Sequence, residues 1–370
     1  MNRYSWKMGV IIFCSFLSVQ SIAFQPYNEL EIAYVDLNHY PEKINHFGPD
    51  TEITIGDLHG NALKLLNFLI HQEVISMPAK DYQNFVEIYH TPPDNLTSKD
   101  IAIFHAIINA MLINPAHPVR FLGDDLCDRG MNDYFTLHLF KKLDLANVNF
   151  EVVLSNHNNF FLSAYERPEK SFSYNPYGEG NHESLVRSML NLGKLIDRGL
   201  VDKQDILEII QTNYLKHLVF PGMTVNKNKQ EITLYTHAPV DLQILSNLAK
   251  DLNIDYQDSD LNHLVQTYSS INRQIQSWIM QNQFSTNYKR LNERHKTENT
   301  PSPIQQVLWN RNYTILERVH KPEGKAFSIN YVHGHDSQSN VVDLDNKFGK
   351  GDNYDRGPLA VYMTNPGLSP

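Results

Sequence analysis

Short apolar runs that stop abruptly at polar residues recur along this chain, separated by stretches with apolar residues at helical spacing. Glu52-Ile-Thr-Ile runs into Gly56-Asp-Leu-His-Gly60, and Asn61 to Ile70 then carries Leu63, Leu66, Phe68 and Leu69. That pattern predicts a strand and a helix packing back on a sheet, with Asp57 and His59 in the turn between them. Val119-Arg-Phe-Leu enters Gly123-Asp-Asp-Leu-Cys-Asp-Arg-Gly130, and an amphipathic helix follows over about 132–143. Glu151-Val-Val-Leu runs into Ser155-Asn-His-Asn158, the strand from Glu231 ends at His237, and the strand Phe327 to Val332 ends at His333-Gly-His335. Val341-Val-Asp-Leu and Leu359-Ala-Val-Tyr-Met read as paired terminal strands. Helices are expected over 101–113, 184–198, 204–215 and much of 240–288. Loops are expected over 166–180 and over the charged, Pro-bounded 292–303. The order of elements gives an α/β class, with one catalytic unit over 24–370 and helical insertions near 71–118 and 160–220.

The strand ends carry the chemistry. Open α/β sheets place their sites at the carboxyl ends of strands. Here such ends hold Asp57 and His59, Asp124, Asn156 and His157, His237, and His335. Carboxylate, imidazole and amide oxygen together suit two divalent ions, such as Mn, Fe or Zn, that share a carboxylate. Strand alternation turns His333 to the same side as His335 only if the strand continues regularly. His71, His90, His105 and His117 lie outside any such motif and read as structural or solvated rather than as ligands.

Composition narrows the class. The 370 residues are 41% hydrophobic and 20% charged, as in an ordinary globular chain, and the formal net charge of −9 disfavours a nucleic-acid partner. Arg3 and Lys7 precede the apolar run Met8 to Val19, and Ser21-Ile22-Ala23 supplies small residues. This is the layout of a secretory signal over 1–23, which predicts export and no stable membrane association after its removal. Cys14 falls inside that segment, so the remaining Cys127 has no internal disulfide partner, and its acidic neighbours make it a poor nucleophile.

Gly56-Asp-Leu-His-Gly60, Gly123-Asp…Asp128-Arg-Gly130, Asn156-His157, His237 and Gly334-His335 resemble the ordered motifs of the calcineurin-like metallophosphoesterases. Within them they are most similar to the phosphoprotein-phosphatase branch, and more loosely to secreted bacterial effector phosphatases of the Wip type. The resemblance spans residue 52 to about 363. It implies a two-sheet α/β/β/α metallophosphoesterase sandwich with helical insertions. It also implies a pair of metal ions, manganese first with iron or zinc as alternatives. Asp57 and His59 would hold one metal, Asp124 would bridge, and Asn156, His237 and His335 would complete the other. A hydroxide between the metals would attack phosphorus in line with the leaving oxygen. His157 would protonate that oxygen, oriented by Asp128, while Arg129 grips the phosphate and Arg311, from Trp309-Asn-Arg, adds a second guanidinium.

Three departures stand out. The second motif is one residue longer than the family pattern: Asp124 keeps the register after glycine, while Asp125 keeps the spacing to Asp128. Ser155 and Asn158 replace the Gly and Glu of the third motif. The Ser-Ala-Pro-Asn-Tyr stretch of eukaryotic relatives is missing. The resemblance implies a phosphorylated protein as substrate, on Ser/Thr or Tyr, and delivery to a host cell as an effector. A diadenosine polyphosphate or nucleotide hydrolase and an inactive protein-binding module are the competing expectations.

Overall fold

A computed structural model describes residues 28–43, 51–167, 169, 172–296, 300–311, 319–335, 342–351 and 354–364. The expected signal segment, 1–23, lies outside them. Among the described residues no helix is long and apolar enough to cross a membrane.

The elements in chain order are β1 (Asn28–Asp36), β2 (Glu52–Ile55), α1 (Ala62–His71), β3 (Ile75–Ser76), α2 (Ala79–His90), α3 (Ser98–Ala110), β4 (Leu112–Ile113), β5 (Val119–Phe121), α4 (Asp133–Leu145), β6 (Phe150–Val153) and α5 (Asn156–Tyr165). Then come α6 (Arg187–Asp197), α7 (Lys203–Ile209), β7 (Leu218–Val219), β8 (Gly222–Asn226), β9 (Glu231–Thr236), α8 (Leu242–Asp251), α9 (Leu261–Met280), α10 (Phe284–His295) and α11 (Pro303–Trp309). The chain closes with β10 (Val319–His320), β11 (Ser328–His333), β12 (Val342–Asp343) and β13 (Arg356–Thr364).

The architecture is mixed α/β. A six-stranded sheet runs β1-β13-β2-β5-β6-β7, and a second sheet runs β10-β11-β9-β8 with β12 beside β11. In the first sheet β2, β5 and β6 pair in parallel, and their Ile53, Ile55, Phe121, Val152 and Val153 are fully buried, as expected of strands covered on both faces. The main core fills the space between this sheet and the helices that follow its strands; Leu66, Phe68, Phe135, Phe140 and Phe161 belong to it. A smaller apolar cluster joins the two sheets through Val153 and Tyr362 on one and Tyr235 and Val332 on the other. Arg120 of β5 is buried at the same junction. It stacks over the Tyr235 ring at 3.8 Å, pairs with Glu52 at 3.2 Å, and makes a close bond to Glu151. Both carboxylates, despite the cost of burial, raise its pKa further.

Several expectations need correction. The terminal strands do not pair with each other. β12 lies parallel to β11 in the second sheet, whereas β13 sits antiparallel between β1 and β2 in the first. The stretch ahead of Glu52, for which the sequence pattern predicts no element, contains β1, whose Leu30, Ile32 and Tyr34 alternate with Glu29, Glu31 and Ala33. The helix expected over 101–113 starts earlier, at a Thr97–Asp100 capping box, and stops at Ala110, because Leu112–Ile113 pairs with β3. The loop expected over 292–303 is partly helix, since α10 runs to His295 and α11 begins at Pro303.

Candidate metal centre

The parallel strands β2 and β5 end level with each other, as do β9 and β11, and the residues that follow them meet. His237 leaves β9 and donates Nδ1–H to the Leu122 carbonyl at 2.8 Å, which leaves Nε2 with its lone pair. That nitrogen faces Asn156 Oδ1 at 2.7 Å, His335 Nδ1 at 3.1 Å and Asp124 Oδ1 at 3.4 Å. Burial holds His237 below the usual histidine range. It also pushes His335 down to about 3, helped by the neighbouring His237 and by Arg311. Two neutral imidazoles, a carboxylate and an amide oxygen thus converge in a buried space.

A second group adjoins the first. Ligand atoms of Asp57, His59 and Asp124 lie within 4.8 Å of one another, as do those of Asp124, Asp128 and His157. Asp57 is buried, and burial together with the charges of Asp345 and Asp124 pushes its pKa well up. The backbone N–H of His335 donates to both Asp57 oxygens, at 3.2 and 3.0 Å. His59 Nε2 meets the Asn346 carbonyl at 2.9 Å and Asp345 Oδ1 at 3.4 Å. His59 Nδ1, Asp124 Oδ1, Asp128 Oδ2, His335 Nε2 and Asp345 Oδ1 are buried and make no hydrogen bond. His59 Nδ1 lies 3.4 Å from Asp128 Oδ2, and buried anionic oxygens and imidazole nitrogens without hydrogen bonds at this density are a donor set that suits divalent cations, so the residues fit metal ions.

Local backbone geometry aims these groups. His59, Asp124, Cys127 and His335 all occupy the left-handed region, with φ of 58°, 49°, 57° and 70°. Such positions are strained for non-glycine residues and cluster at functional sites. Gly334 is required by close approach, since a Cβ there would lie 1.9 Å from Asp57 Oδ1.

The extra residue of the second motif has a distinct environment. Asp124 turns toward His237, whereas Asp125 is fully buried and accepts hydrogen bonds from Asn158 Nδ2 at 2.8 Å and Tyr214 Oη at 2.7 Å. Burial raises Asp125 to about 6 despite those two bonds. Ser155 and Asn158, the two departures in the third motif, form a capping box that starts α5. Ser155 Oγ also accepts the Asp124 N–H at 3.0 Å. The replacement pair therefore holds both Asn156-His157 at the helix start and the backbone of Asp124.

His157 Nδ1–H donates to the Cys127 carbonyl at 2.5 Å, which turns Nε2 toward Asp128 Oδ1 at 3.6 Å. That separation is an ion-pair distance, longer than a hydrogen bond. Burial would raise the Asp128 carboxyl, but His157, His59 and Arg129 together hold it well below its usual range. Arg129 donates to Asp128 Oδ1 at 2.6 Å, and Arg187 donates to the carbonyls of Arg129 and Gly130. Arg311 is exposed just beyond α11, and Trp309 at the end of that helix packs edge-on against His335 at 6.2 Å. His333 is buried at the end of β11, with Nδ1 bonded to the Gly334 carbonyl. Cys127 is buried, and desolvation with nearby Asp133, Asp128 and Asp124 raises its thiol well above the usual range, which makes it inert as a nucleophile. His71 bonds the Glu42 carbonyl, and His105 meets the Tyr134 hydroxyl at 2.8 Å.

Two residues were missed by the sequence reading. Lys64 of α1 is buried and donates Nζ–H to the carbonyls of Asp57 at 2.6 Å and Phe348 at 2.9 Å. Burial lowers it to about 8. A single charge inside the apolar run Ala62-Leu-Lys-Leu-Leu was the available signal. Asp345, beside His59, follows β12 as other site residues follow their strands, and the strand-end rule extended to Val342–Asp343 would have found it.

A comparison with protein families matches the WipA-like phosphatase domain over residues 118–350, more than half of the chain. The chain belongs to that family. Among solved structures it is similar to the crystal structure of the phosphatase domain from the Legionella effector WipB. The two share 27% identity over 77% of this chain and 99% of that chain, with a TM-score of 0.65. No curated protein matches. The family match begins at Pro118, so Asp57 and His59 precede it and are joined to the site by the fold alone.

Proposed function

We propose that this WipA-like phosphatase-family chain is a dimetal phosphoprotein phosphatase, built as one catalytic unit over 24–370 on a metallophosphoesterase sandwich of the calcineurin-like, phosphoprotein-phosphatase type. One observation carries the reading. Around the lone pair of His237 Nε2 stand Asn156 Oδ1, Asp124 Oδ1 and His335 Nδ1, a set of coordinating atoms with Asp57 and His59 beside it. In this reading Asp57 and His59 would hold one ion and Asn156, His237 and His335 the other, with Asp124 available to both. Divalent ions there, manganese first with iron or zinc as alternatives, would supply Lewis-acid polarisation of the phosphoryl group and a lowered water pKa. The chain itself does the rest. His157, fixed by the Cys127 carbonyl, gives the proton on Nε2 to the leaving oxygen of a phosphorylated Ser, Thr or Tyr side chain. Asp128 stabilises the charged ring from 3.6 Å and aligns Arg129, whose guanidinium binds phosphoryl oxygens, with Arg311 completing the grip from the rim.

The similar WipB domain is described as part of a Legionella effector, which supports export and delivery to a host cell for this chain as well. The test is release of phosphate from p-nitrophenyl phosphate after chelation and after adding back Mn²⁺, together with metal content. Turnover and bound metal should fall together on chelation, return with Mn²⁺, and both be lost in Asp124→Asn. Full turnover in the chelated protein would sink the dimetal reading. A panel of phosphoserine, phosphothreonine and phosphotyrosine peptides then assigns the side chain.

A further inference from the structure

We propose that a groove between α5 and α10 binds the polypeptide flanking the phosphorylated residue, and that it selects acidic segments. The proposal rests on the phosphatase reading of the neighbouring site and names what that site would take.

The groove has a volume of about 450 Å³ and is walled by Phe160, Tyr174 and Tyr288, with Arg167 and Lys289 among its polar groups. It borders the metal centre, with Phe160 as the shared wall. Phe160 packs edge-on against His157 at 5.9 Å and against Trp309 at 5.6 Å, and Trp309 in turn packs against His335. The Tyr288 hydroxyl interacts with Trp309 as well. A phosphoresidue seated at His157 would send its flanking chain past Phe160 toward the groove.

Charge decides what the groove accepts. The whole chain is acidic, with a net charge of −9, yet the charged groups that line the groove are a guanidinium, an ammonium and a single carboxylate, that of Glu166. Of the nearby acids, Glu166 has both oxygens engaged by the N–H groups of Phe284 and Ser285, at 2.9 and 2.8 Å, at the start of α10. Glu169 meets Arg167 at 3.5 Å, but both side chains are about half exposed (41% and 55%), and a pair of that kind is weak and exchangeable. The Arg167 guanidinium carbon sits over the Tyr174 ring, 3.6 Å from its centroid, a cation–π contact that restrains the side chain before any partner arrives. Aromatic walls for side chains and two cations for carboxylates fit an acidic stretch of substrate.

The test compares kcat/KM for phosphopeptides that differ only in acidic or neutral flanks, alongside p-nitrophenyl phosphate, which has no flank. The intact enzyme should favour the acidic flank about tenfold at low salt, an advantage shrinking as ionic strength rises. Arg167→Glu/Lys289→Glu should abolish that preference and leave p-nitrophenyl phosphate turnover unchanged, whereas Arg167→Lys/Lys289→Arg should keep it. No preference in the intact enzyme, or an equal loss on both substrates in the charge-reversed variant, would overturn the proposal. If the intact protein turned over no phosphate ester, the phosphatase reading would fail by itself. Fluorescence anisotropy of a labelled acidic peptide would then decide the groove: binding lost on charge reversal supports it, and binding unchanged overturns it.

Discussion

Asp124 and Asp125 are neighbours with the same side chain and opposite situations. Asp124 has a left-handed φ of 49° and faces His237, while Asp125 is locked between Asn158 and Tyr214. Asp124→Asn should remove turnover by at least about 100-fold, the scale of losing one charge-stabilising group, and leave the unfolding midpoint of the metal-free protein nearly unchanged. Asp125→Ala should do the reverse, costing about 2–3 kcal/mol through two lost buried hydrogen bonds while activity per folded molecule persists. Urea titration and phosphate release on the two variants check this, and an exchange of phenotypes would move the shared ligand to Asp125. Gly334→Ala should weaken metal binding about 10–100-fold, because its methyl group must displace the Asp57 carboxylate, and metal titration by calorimetry reads that loss. His157→Asn should lower turnover about 100- to 10,000-fold with bound metal intact; loss of metal would refute its role as the acid.

At the scale of elements, the site depends on how β5 and α5 are anchored. β5 is only three residues long, and its middle residue is a buried arginine held by Glu52, Glu151 and the Tyr235 ring between the two sheets. Arg120→Met should cost about 3–5 kcal/mol, because two carboxylates lose their common cation in a low-dielectric junction. The urea midpoint should fall with an unchanged slope, and adding Glu52→Gln and Glu151→Gln should recover part of the loss. Apolar runs and helical spacing made most of these elements legible. Two kinds were not. β1 was hidden because Glu29 and Glu31 made a half-exposed edge strand look like polar lead, and β12 and β13 were misjoined because pairing partners are not encoded in local pattern.

Across the whole molecule, remote segments of the chain are clamped by charge as well as by apolar contact. Asp144 of α4 accepts from Lys216 at 2.7 Å, His217 at 2.9 Å and Asn213 at 2.7 Å, tying α4 to the segment that leads into β7. Burial would raise its pKa, but the bonds from Lys216, Asn213 and His217 outweigh it and leave it lowered. A carboxylate depressed in the folded state stabilises above its unfolded pKa of about 3.9 and loses that contribution as pH falls through the folded value. Asp144→Asn should therefore be less stable than the parent at neutral pH, by about 1 kcal/mol after discounting for solvent access. The difference should shrink as the pH falls below the unfolded value of about 3.9 and vanish once the folded carboxyl is itself protonated. Thermal unfolding of both proteins from pH 7 downward reads it, and a constant difference would refute the ion-pair account.

The strand ends that carry the candidate ligands were legible because a buried strand is a local pattern, and a Gly-Asp or a histidine directly after one is visible without knowing its neighbours. Arg129 and His157 could be assigned roles only through resemblance to a family's motifs. The choice between Asp124 and Asp125 was not available from spacing, since each kept one half of the family pattern; the turn after Gly123 and the Asn158–Tyr214 pocket separate them in space. Lys64 and Asp345 left local signals, a lone charge in an apolar run and an acid after a strand, but their contacts, like the groove beside Phe160, were set only by the tertiary structure. Each is defined by segments far apart in sequence, as Lys64 is by the Phe348 carbonyl and Asp345 by His59. Short-range order follows from side-chain periodicity, whereas a site is made by long-range packing that brings strand ends and loops into contact.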